Sequence, residues 1–347
     1  MKNRIHFSRP ELVYPDEKVP FNMDGSLCKL RQADGSYLFW TTDLGDTPYY
    51  HRFHGTAEDP FQEEVENFDW DYNGYKDTWP CGLWVQSFYQ CEDGMLIGFV
   101  HREDLSHDDP EYLNNYHIGF GVSHDGGSHW KYLGDVCGNV CNDCHRFPNM
   151  AGVPYIAGKD GYFYLFFNDF TPDMERYVTA ARTPIKEAVE AIRKGELPVV
   201  KKYSGNGVWD TDPMNGMGAP VLPLLDGINE DSLDRKNYDC HANAAYCSAL
   251  DRYVLVVQHK YTLFMFLSED CCNWGEPITV GAPEPNTGYC YYTTILGVDD
   301  EASADSSTVG HSFYIYFTHK PDYRRVFRAA SGYENDQYYR VRVTIDK

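Results

Sequence analysis

A turn followed by a short strand of aromatic and aliphatic residues occurs five times along this chain. The copies begin at Asp34, Asp93, Asp160, Asp251 and His311. Three of them open with Asp-Gly, which is a hairpin signal because glycine adopts a positive φ at little cost. Repetition of such a unit predicts a chain built from several similar small sheets. The copies lie roughly 60–90 residues apart, against about 40–50 for a regular propeller repeat, so the surplus is expected in loops.

Five similar sheets around an axis make an all-β fold, a five-bladed β-propeller. We expect a single domain over residues 1–347, because a chain of this length can bury a large core and no linker-like stretch divides it. The blades are predicted at about 25–54, 83–134, 152–203, 241–280 and 289–345. The segment Glu11–Tyr14 is expected to pair with the last sheet and close the ring, which protects the sheet edges.

One inserted helix is predicted after the third copy of the repeat. Thr183 and Pro184 provide a cap and a proline at the first helical position, and Gly195 ends the helix. The apolar face consists of Ile185, Val189 and Ile192. We expect this helix on the outside of its sheet.

Charge and cysteine content narrow the classes of function. The net charge of -22 argues against a nucleic-acid partner, because phosphate binding needs clustered Lys and Arg. Residues 1–10 contain no apolar stretch and no segment is long enough to span a membrane, so neither a signal peptide nor a membrane partner is expected. The 11 cysteines are odd in number and irregularly placed, which is typical of reduced thiols in a cytoplasmic protein.

Aromatic residues make up 16% of the chain, which suits half-buried strands and also a cleft that stacks on sugar rings. Candidates for stacking are Trp40, Trp79, Trp84, Tyr289, Tyr291 and Tyr292. For each of them, packing within or between blades is the alternative role.

Two turns share a pattern that is known from other propellers. Ser123–Trp130 fits Ser-x-Asp-x-Gly-x-x-Trp, and Ser268–Trp274 is a shortened version of it. The first of them resembles the Asp-box of sialidase-like propellers. Because Asp-boxes are structural and lie away from the active site, the resemblance implies that Asp125 and Asp270 are not catalytic.

The five repeats together resemble the five-bladed glycoside hydrolases of families 32, 43, 68, 117 and 130. Family 43 members carry a catalytic base Asp early in the first blade, and Asp24 is similarly placed. The resemblance therefore implies that Asp24 is a general base, with a turn aspartate before Gly25 as the alternative. The other two carboxylates of that family find no clear counterpart, and no arginine lies in a sialidase motif.

Polar residues at strand ends are the candidates for a shared axial pocket. His101 and Glu103 close an apolar strand and point to the same side, which suits a proton-transfer pair with Glu103 as the general acid. Asp169 ends the third copy of the repeat in the equivalent place. The other strand ends, before the first strands of the blades, carry a second set. This set includes Asp24, Trp84, Asn149, Asp239, His241 and Tyr289. Strand direction leaves open which set faces the pocket, so both contribute candidates.

The segment from Cys137 to His145 contains Cys141 and Cys144 and resembles haem-attachment and iron–sulfur strings. A closed zinc site is a further alternative, although the spacing is tight for one tetrahedral ion. We favour a loop that lines the cleft, with Asp143 and His145 as substrate contacts and with neither metal nor cofactor.

These features favour a glycoside hydrolase acting on a small oligosaccharide. Asp24 and Glu103 would form the catalytic carboxylate pair with His101 beside them. The predicted substrate-binding residues are Trp84, Asp143, His145, Asp169, Asp239, His241 and Tyr289. Long segments at 55–81 and 204–239 could block one end of the pocket and make the enzyme exo-acting. The alternatives are a polysaccharide lyase on uronate glycans and a non-catalytic glycan-binding propeller, and the oligomeric state stays open.

Overall fold

A computed structural model of the chain describes residues 2–15, 23–44, 48–75, 81–105, 114–141, 148–223, 238–259, 261–284, 288–321 and 337–347. Within those residues it contains one α-helix, α1 (Ile185–Arg193), and a 3₁₀ turn at Lys2–Arg4. In chain order the strands are β1 (Ile5–Phe7), β2 (Glu11–Tyr14), β3 (Cys28–Arg31), β4 (Tyr37–Leu44), β5 (Pro48–Gly55), β6 (Glu63–Glu64), β7 (Asp69–Asp71), β8 (Cys81–Gln90), β9 (Leu96–Leu105), β10 (Asn114–Ser123), β11 (His129–Cys137), β12 (Tyr155–Ala157), β13 (Tyr162–Phe170), β14 (Arg176–Pro184), β15 (Lys201–Lys202), β16 (Asp239–Cys247), β17 (Arg252–His259), β18 (Thr262–Ser268), β19 (Ile278–Gly281), β20 (Tyr289–Gly297), β21 (Thr308–Val309), β22 (Ser312–Lys320) and β23 (Gln337–Ile345).

These strands form five sheets, which we number as blades. Blade 1 contains β3–β6, blade 2 β7–β11, blade 3 β12–β15, blade 4 β16–β19 with β21, and blade 5 β20, β22 and β23 with β1 and β2. The first strands of the blades face one another around an axis, since β3 contacts β8, β12 contacts β16 and β16 contacts β20. The five-bladed propeller predicted from the repeat is confirmed.

The repeated unit corresponds to the second strand of each blade. These strands are β4, β9, β13, β17 and β22, and their central residues are buried because neighbouring blades cover both faces. The Asp-Gly turns connect the first strand to the second. Their glycines have positive φ angles of 88° at Gly35, 86° at Gly94 and 85° at Gly161, as expected for this type of turn.

The chain closes its ring with strands from both ends. Antiparallel to β23 lie β1, with Ile5 opposite Ile345, and β2, with Leu12 opposite Tyr339. The pairing expected for Glu11–Tyr14 is therefore confirmed.

Helix α1 packs over the core between blades 2 and 3. Ala188 and Ile192 are buried there, and Ile185 and Val189 pack against the same cluster. The predicted cap is wrong in one respect: Pro184 occupies the N-cap position, so Thr183 lies outside the helix. The helix stops before Gly195, whose φ is 76°.

The described part of the long segment at 55–81 forms outer strands of two blades. Its described part supplies β6, the outer strand of blade 1, and β7, which runs parallel to β11 at the outer edge of blade 2. Such short strands carry no periodic sequence signal. The described part of this segment, 55–75, therefore lies at the outer edges of blades 1 and 2.

The two Asp-containing turns have matching contacts. Asp125 Oδ1 accepts hydrogen bonds from the backbone amides of Ser128 and His129 at 3.2 and 3.1 Å. Asp270 Oδ1 does the same for Cys272 and Asn273 at 2.9 and 2.8 Å. Both carboxylates satisfy turn amides, which is a structural role.

Candidate functional site

The polar strand ends meet at one end of the axis. In blade 2, Trp84 on β8 lies opposite His101 on β9. In blade 5, Tyr289 on β20 lies opposite Lys320 on β22. From the sequence, the starts of first strands and the ends of second strands are expected on opposite rims. That distinction is wrong, because the two strands are antiparallel neighbours and their start and end share one edge.

Asp24 lies at this end, immediately before blade 1. Its backbone amide donates to Thr42 O at 2.8 Å, and its side chain is partly exposed. The Tyr292 hydroxyl donates to Asp24 Oδ1 at 2.6 Å. Burial raises the pKa of Asp24, and the negative charge of Glu103 raises it further. Ser26 N donates to Gln86 Oε1 of β8 at 3.1 Å, so the segment that carries Asp24 is joined to blade 2, the blade of Glu103.

Glu103 is held by two donors that converge on one of its oxygens. His101 Nε2 lies 3.0 Å from Glu103 Oε1, and Asn149 Nδ2 donates to the same atom at 3.1 Å. Among the described residues no hydrogen bond reaches Oε2, so this oxygen can carry a proton. The side-by-side geometry expected for His101 and Glu103 is present, and Asn149 from blade 3 completes it.

The His101 ring is buried beside aromatic neighbours. Its centroid lies 5.8 Å from that of Trp84 and 6.0 Å from that of Tyr116. Trp84 is only 2% exposed, so its ring offers no face for stacking on a sugar. The predicted substrate-binding role of Trp84 does not fit this burial, and the residue instead packs against His101.

Asp239 and His241 form a second polar group at the same end. Asp239 lies 3.1 Å from Arg176 through Oδ2 and 2.8 Å from His241 Nδ1 through Oδ1. The His241 ring meets the Tyr292 ring edge-on at a centroid distance of 5.2 Å. The buried carboxylate thus orients His241, and His241 in turn lowers the pKa of Asp24 through its positive charge when protonated.

Tyrosine rings cluster at this end of blade 5. Tyr289 stacks on Tyr291 with centroids 4.2 Å apart, and Lys320 Nζ lies 5.8 Å from the centre of the Tyr291 ring. Lys320 also lowers the pKa of Asp24. Tyr289 is 9% exposed, so little of this predicted binding residue is accessible.

Asp169 is the sequence-predicted residue that lies outside the cleft chemistry. Its side chain is fully buried and its Oδ2 accepts from Lys202 Nζ at 3.0 Å and from Gly218 N at 2.8 Å. Its Oδ1 accepts from Phe170 N at 3.0 Å. A substrate-binding role for Asp169 does not fit these contacts, since protein donors already occupy both oxygens.

The cysteine-rich segment is described only in part. Cys137 and Cys141 are buried free thiols, while Asp143, Cys144 and His145 lie outside the described residues. Within the described parts of the chain, no three His, Cys, Asp or Glu side chains are grouped to hold a metal ion. In the same parts, no helix is long and apolar enough to cross a membrane.

Sequence reasoning passed over several residues of the site. Asn149 and Tyr292 were recognised as a strand-end residue and a stacking candidate, without their contacts to Glu103 and Asp24. Arg176 and Lys320 were not considered. Lys320 directly follows the strand end Thr318-His319, and this position was the available signal.

Comparisons with known proteins support the architecture. No protein-family model matches the chain, and no curated protein matches it. Its fold is similar to that of the GH43_1 enzyme from Xanthomonas citri complexed with xylotriose, with a TM-score of 0.53 and 11% identity over 95% of this chain and 89% of that one.

Two further solved structures show the same likeness. An α-L-arabinofuranosidase from Lactobacillus brevis gives a TM-score of 0.53 at 8% identity, covering 96% of this chain and 92% of that one. An N-acetylgalactosamine deacetylase from F. plautii, in complex with blood group B trisaccharide, gives a TM-score of 0.52 at 10% identity, covering 97% of this chain and 95% of that one. The chain thus shares the fold of five-bladed propeller glycoside hydrolases, and at such identities the likeness concerns the fold alone.

Proposed function

We propose that the protein is a glycoside hydrolase whose cleft lies at the axial end that holds Asp24 and Glu103. The observation that carries this proposal is that both carboxyls lie at this end and each is held through a single oxygen, Asp24 by Tyr292 and Glu103 by His101 and Asn149. The hydrogen bond from Ser26 N to Gln86 Oε1 also joins the segment of Asp24 to the blade of Glu103. Hydrolysis of a glycosidic bond needs two carboxyl groups on either side of the bond. The fold neighbours, which include glycosidases, agree with this class of reaction.

In this proposal Asp24 activates water and Glu103 donates a proton to the leaving oxygen. A base works best when its pKa approaches the working pH, and burial moves Asp24 in that direction. His101 and Asn149 hold Glu103 through Oε1, so Oε2 can present the proton. His241, oriented by Asp239, and Tyr289 would contact the sugar.

The substrate in this proposal is a small oligosaccharide, cleaved from one end. The second long segment, 204–239, supports exo action. Its described part is attached beside the cleft, because Lys202 Nζ donates to Gly216 O at 2.7 Å and the Tyr177 hydroxyl donates to Gly218 O at 2.8 Å.

Glu103→Gln and Asp24→Asn test the carboxyl pair against a panel of chromogenic glycosides. Each variant should lower kcat by about 10²–10⁴-fold, the usual contribution of general acid–base catalysis. Aryl glycosides with good leaving groups should restore turnover to Glu103→Gln, because they need no proton donor. Added azide should restore it to Asp24→Asn, because azide replaces the activated water.

Asp125→Asn is the matched control, since Asp125 bonds turn amides at the far end of blade 2. It should keep wild-type kcat and KM. Unchanged turnover in both cleft variants would remove Asp24 and Glu103 from the mechanism. Release of an unsaturated, ultraviolet-absorbing product would instead identify a lyase, and sugar binding without turnover would identify a glycan-binding propeller.

A further inference from the structure

Tyr292 has a backbone conformation that its side chain disfavours. Its φ is +53°, in the left-handed region that residues with a Cβ rarely adopt. The pairing of β20 with β22 is irregular between Tyr291 and Thr294, so the strand bulges at this residue. Bulges and strained residues concentrate at functional sites, where the surrounding structure holds them in place.

The bulge connects blade 5 to the segment that carries Asp24. The Tyr292 hydroxyl donates to Asp24 Oδ1 at 2.6 Å. Two residues later, Thr294 Oγ1 accepts from Leu27 N at 2.8 Å. Thr293 Oγ1 donates to Val256 O of blade 4 at 3.1 Å, which fixes the bulge from its other side. The segment 24–27 is thus held at two points by one irregular turn of β20.

We propose that Tyr292 is a positioning residue for Asp24, which it holds in one orientation and keeps ionised through a hydrogen bond from its hydroxyl. This inference rests on the proposed function for its catalytic meaning, while the link between the two residues is a separate claim. Because Tyr292 occupies Oδ1 and no hydrogen bond from the described residues reaches Oδ2, the second oxygen can accept the proton of a water molecule.

The charged and titratable groups that act on Asp24 come from three blades. Tyr292 and Lys320 from blade 5 and His241 from blade 4 lower its pKa, whereas burial and Glu103 from blade 2 raise it. Removal of the Tyr292 hydroxyl takes away the hydrogen bond that lowers the pKa of Asp24 and leaves the opposing effect of burial in place. The pKa of Asp24 must then rise, and the carboxylate is lost at a higher pH as the solution is acidified.

Tyr292→Phe in the full chain tests the proposal, with Tyr314→Phe as the matched control. Tyr314 lies on β22 of the same blade, opposite Leu296 and far from the cleft end of the strand. In Tyr292→Phe we expect kcat/KM to fall about tenfold near neutral pH, as for loss of a hydrogen bond to a charged group. The loss should lie mainly in kcat, and the acid limb of the pH profile should move to higher pH. Tyr314→Phe should leave both unchanged.

A measurement without substrate makes the two claims separable. The Asp24 carboxyl carbon is followed by ¹³C NMR during a pH titration and assigned by its absence in Asp24→Asn. Its titration should move to higher pH in Tyr292→Phe even if no glycoside is hydrolysed. Thermal unfolding of each variant checks that the fold is kept. An unmoved titration midpoint, or a loss of activity with an unmoved acid limb, would overturn the assignment of Tyr292.

Discussion

Lys29 is a buried cation near the propeller axis. Lys29 lies on β3 and is only 6% exposed. Its Nζ donates a hydrogen bond to Asn243 Oδ1 of blade 4 at 3.2 Å. Burial lowers the pKa of Lys29 to about 8, while the charge of Asp305 opposes this shift. The folded protein therefore releases this proton at a lower pH than the unfolded chain does.

This shift predicts a stability change with a definite sign. Between about pH 8 and the ordinary lysine value of about 10.4, the unfolded chain binds the proton and the folded protein does not, so the stability contributed by Lys29 rises with pH. The gain is about 3 kcal/mol over the whole window, from 1.36 kcal/mol per pKa unit. Urea unfolding of wild type and Lys29→Met at pH 7.5 and pH 9.5 checks this. From pH 7.5 to pH 9.5, the free energy of unfolding of the wild type should rise relative to that of the variant. Parallel pH dependences of the two proteins would contradict the prediction.

Single residues of the cleft were predictable where an apolar strand delivers them. Glu103 and Asp169 both end second strands, and their sequence surroundings give no reason to separate them. The difference comes from Lys202, 33 positions beyond Asp169, which neutralises that carboxylate. Likewise, the partner of Asp24 is a tyrosine 268 positions away. The first pair arises from strand order within blade 3 and the second from the closed ring, so neither leaves a trace in local spacing.

The loops beside blade 3 are held by one buried ion pair. Lys202 on β15 donates to Asp169 Oδ2 at 3.0 Å, and also to Gly138 O at 2.6 Å and Gly216 O at 2.7 Å. Lys202 thereby attaches two loops to the end of β13. Next to Gly138, Asn139 Nδ2 donates to Pro148 O at 3.3 Å, beside Asn149, the donor to Glu103, so the ion pair supports the position of Asn149.

Lys202→Met should destabilise the fold by about 3–5 kcal/mol, because it leaves a buried carboxylate without its cation. The double variant Lys202→Met with Asp169→Asn should lose less than the sum of the single losses, since the unpaired charge is then absent. Denaturant unfolding of the four proteins gives the coupling free energy. Additive losses would show that the two side chains do not act as a pair.

Whole strands were easier to predict than their irregularities. The second strand of each blade is a continuous apolar run because both of its faces are buried, and three of the five follow an Asp-Gly turn. The bulge at Tyr292 and the two-residue strand β6 result from the fit between neighbouring elements. Neither has a periodic pattern, so propensity and alternation give no signal for them.

At the scale of the molecule, stability depends on the closure of blade 5. Ile5 on β1 is 7% exposed and packs in the core shared by blades 4 and 5. Leu12 on β2 is 43% exposed. The two residues are therefore expected to contribute differently to the stability of the closed ring, although both lie on strands that pair with β23.

Ile5→Ala should cost about 2–4 kcal/mol, as expected for a truncated core residue, whereas Leu12→Ala should cost less than about 0.5 kcal/mol. Blade 5 contains none of the 7 tryptophans, so tryptophan fluorescence reports only on the other blades. If the ring unfolds as one unit, Ile5→Ala should shift the fluorescence transition as much as the far-ultraviolet circular dichroism transition. A shift seen by circular dichroism alone would mean that blade 5 opens independently.

The pairing of β1 with β23 also determines where a tag or a fusion partner would lie relative to the candidate site. Asp346 N donates to Arg4 O at 2.9 Å, so the two chain termini are neighbours. They lie at the end of β23 opposite the cleft, because His319 near the cleft pairs with Gln337 at the start of that strand. A tag, a fused reporter or a tether to a solid support joined near residue 4 or residue 346 would therefore lie at the opposite end of the axis from Asp24 and Glu103.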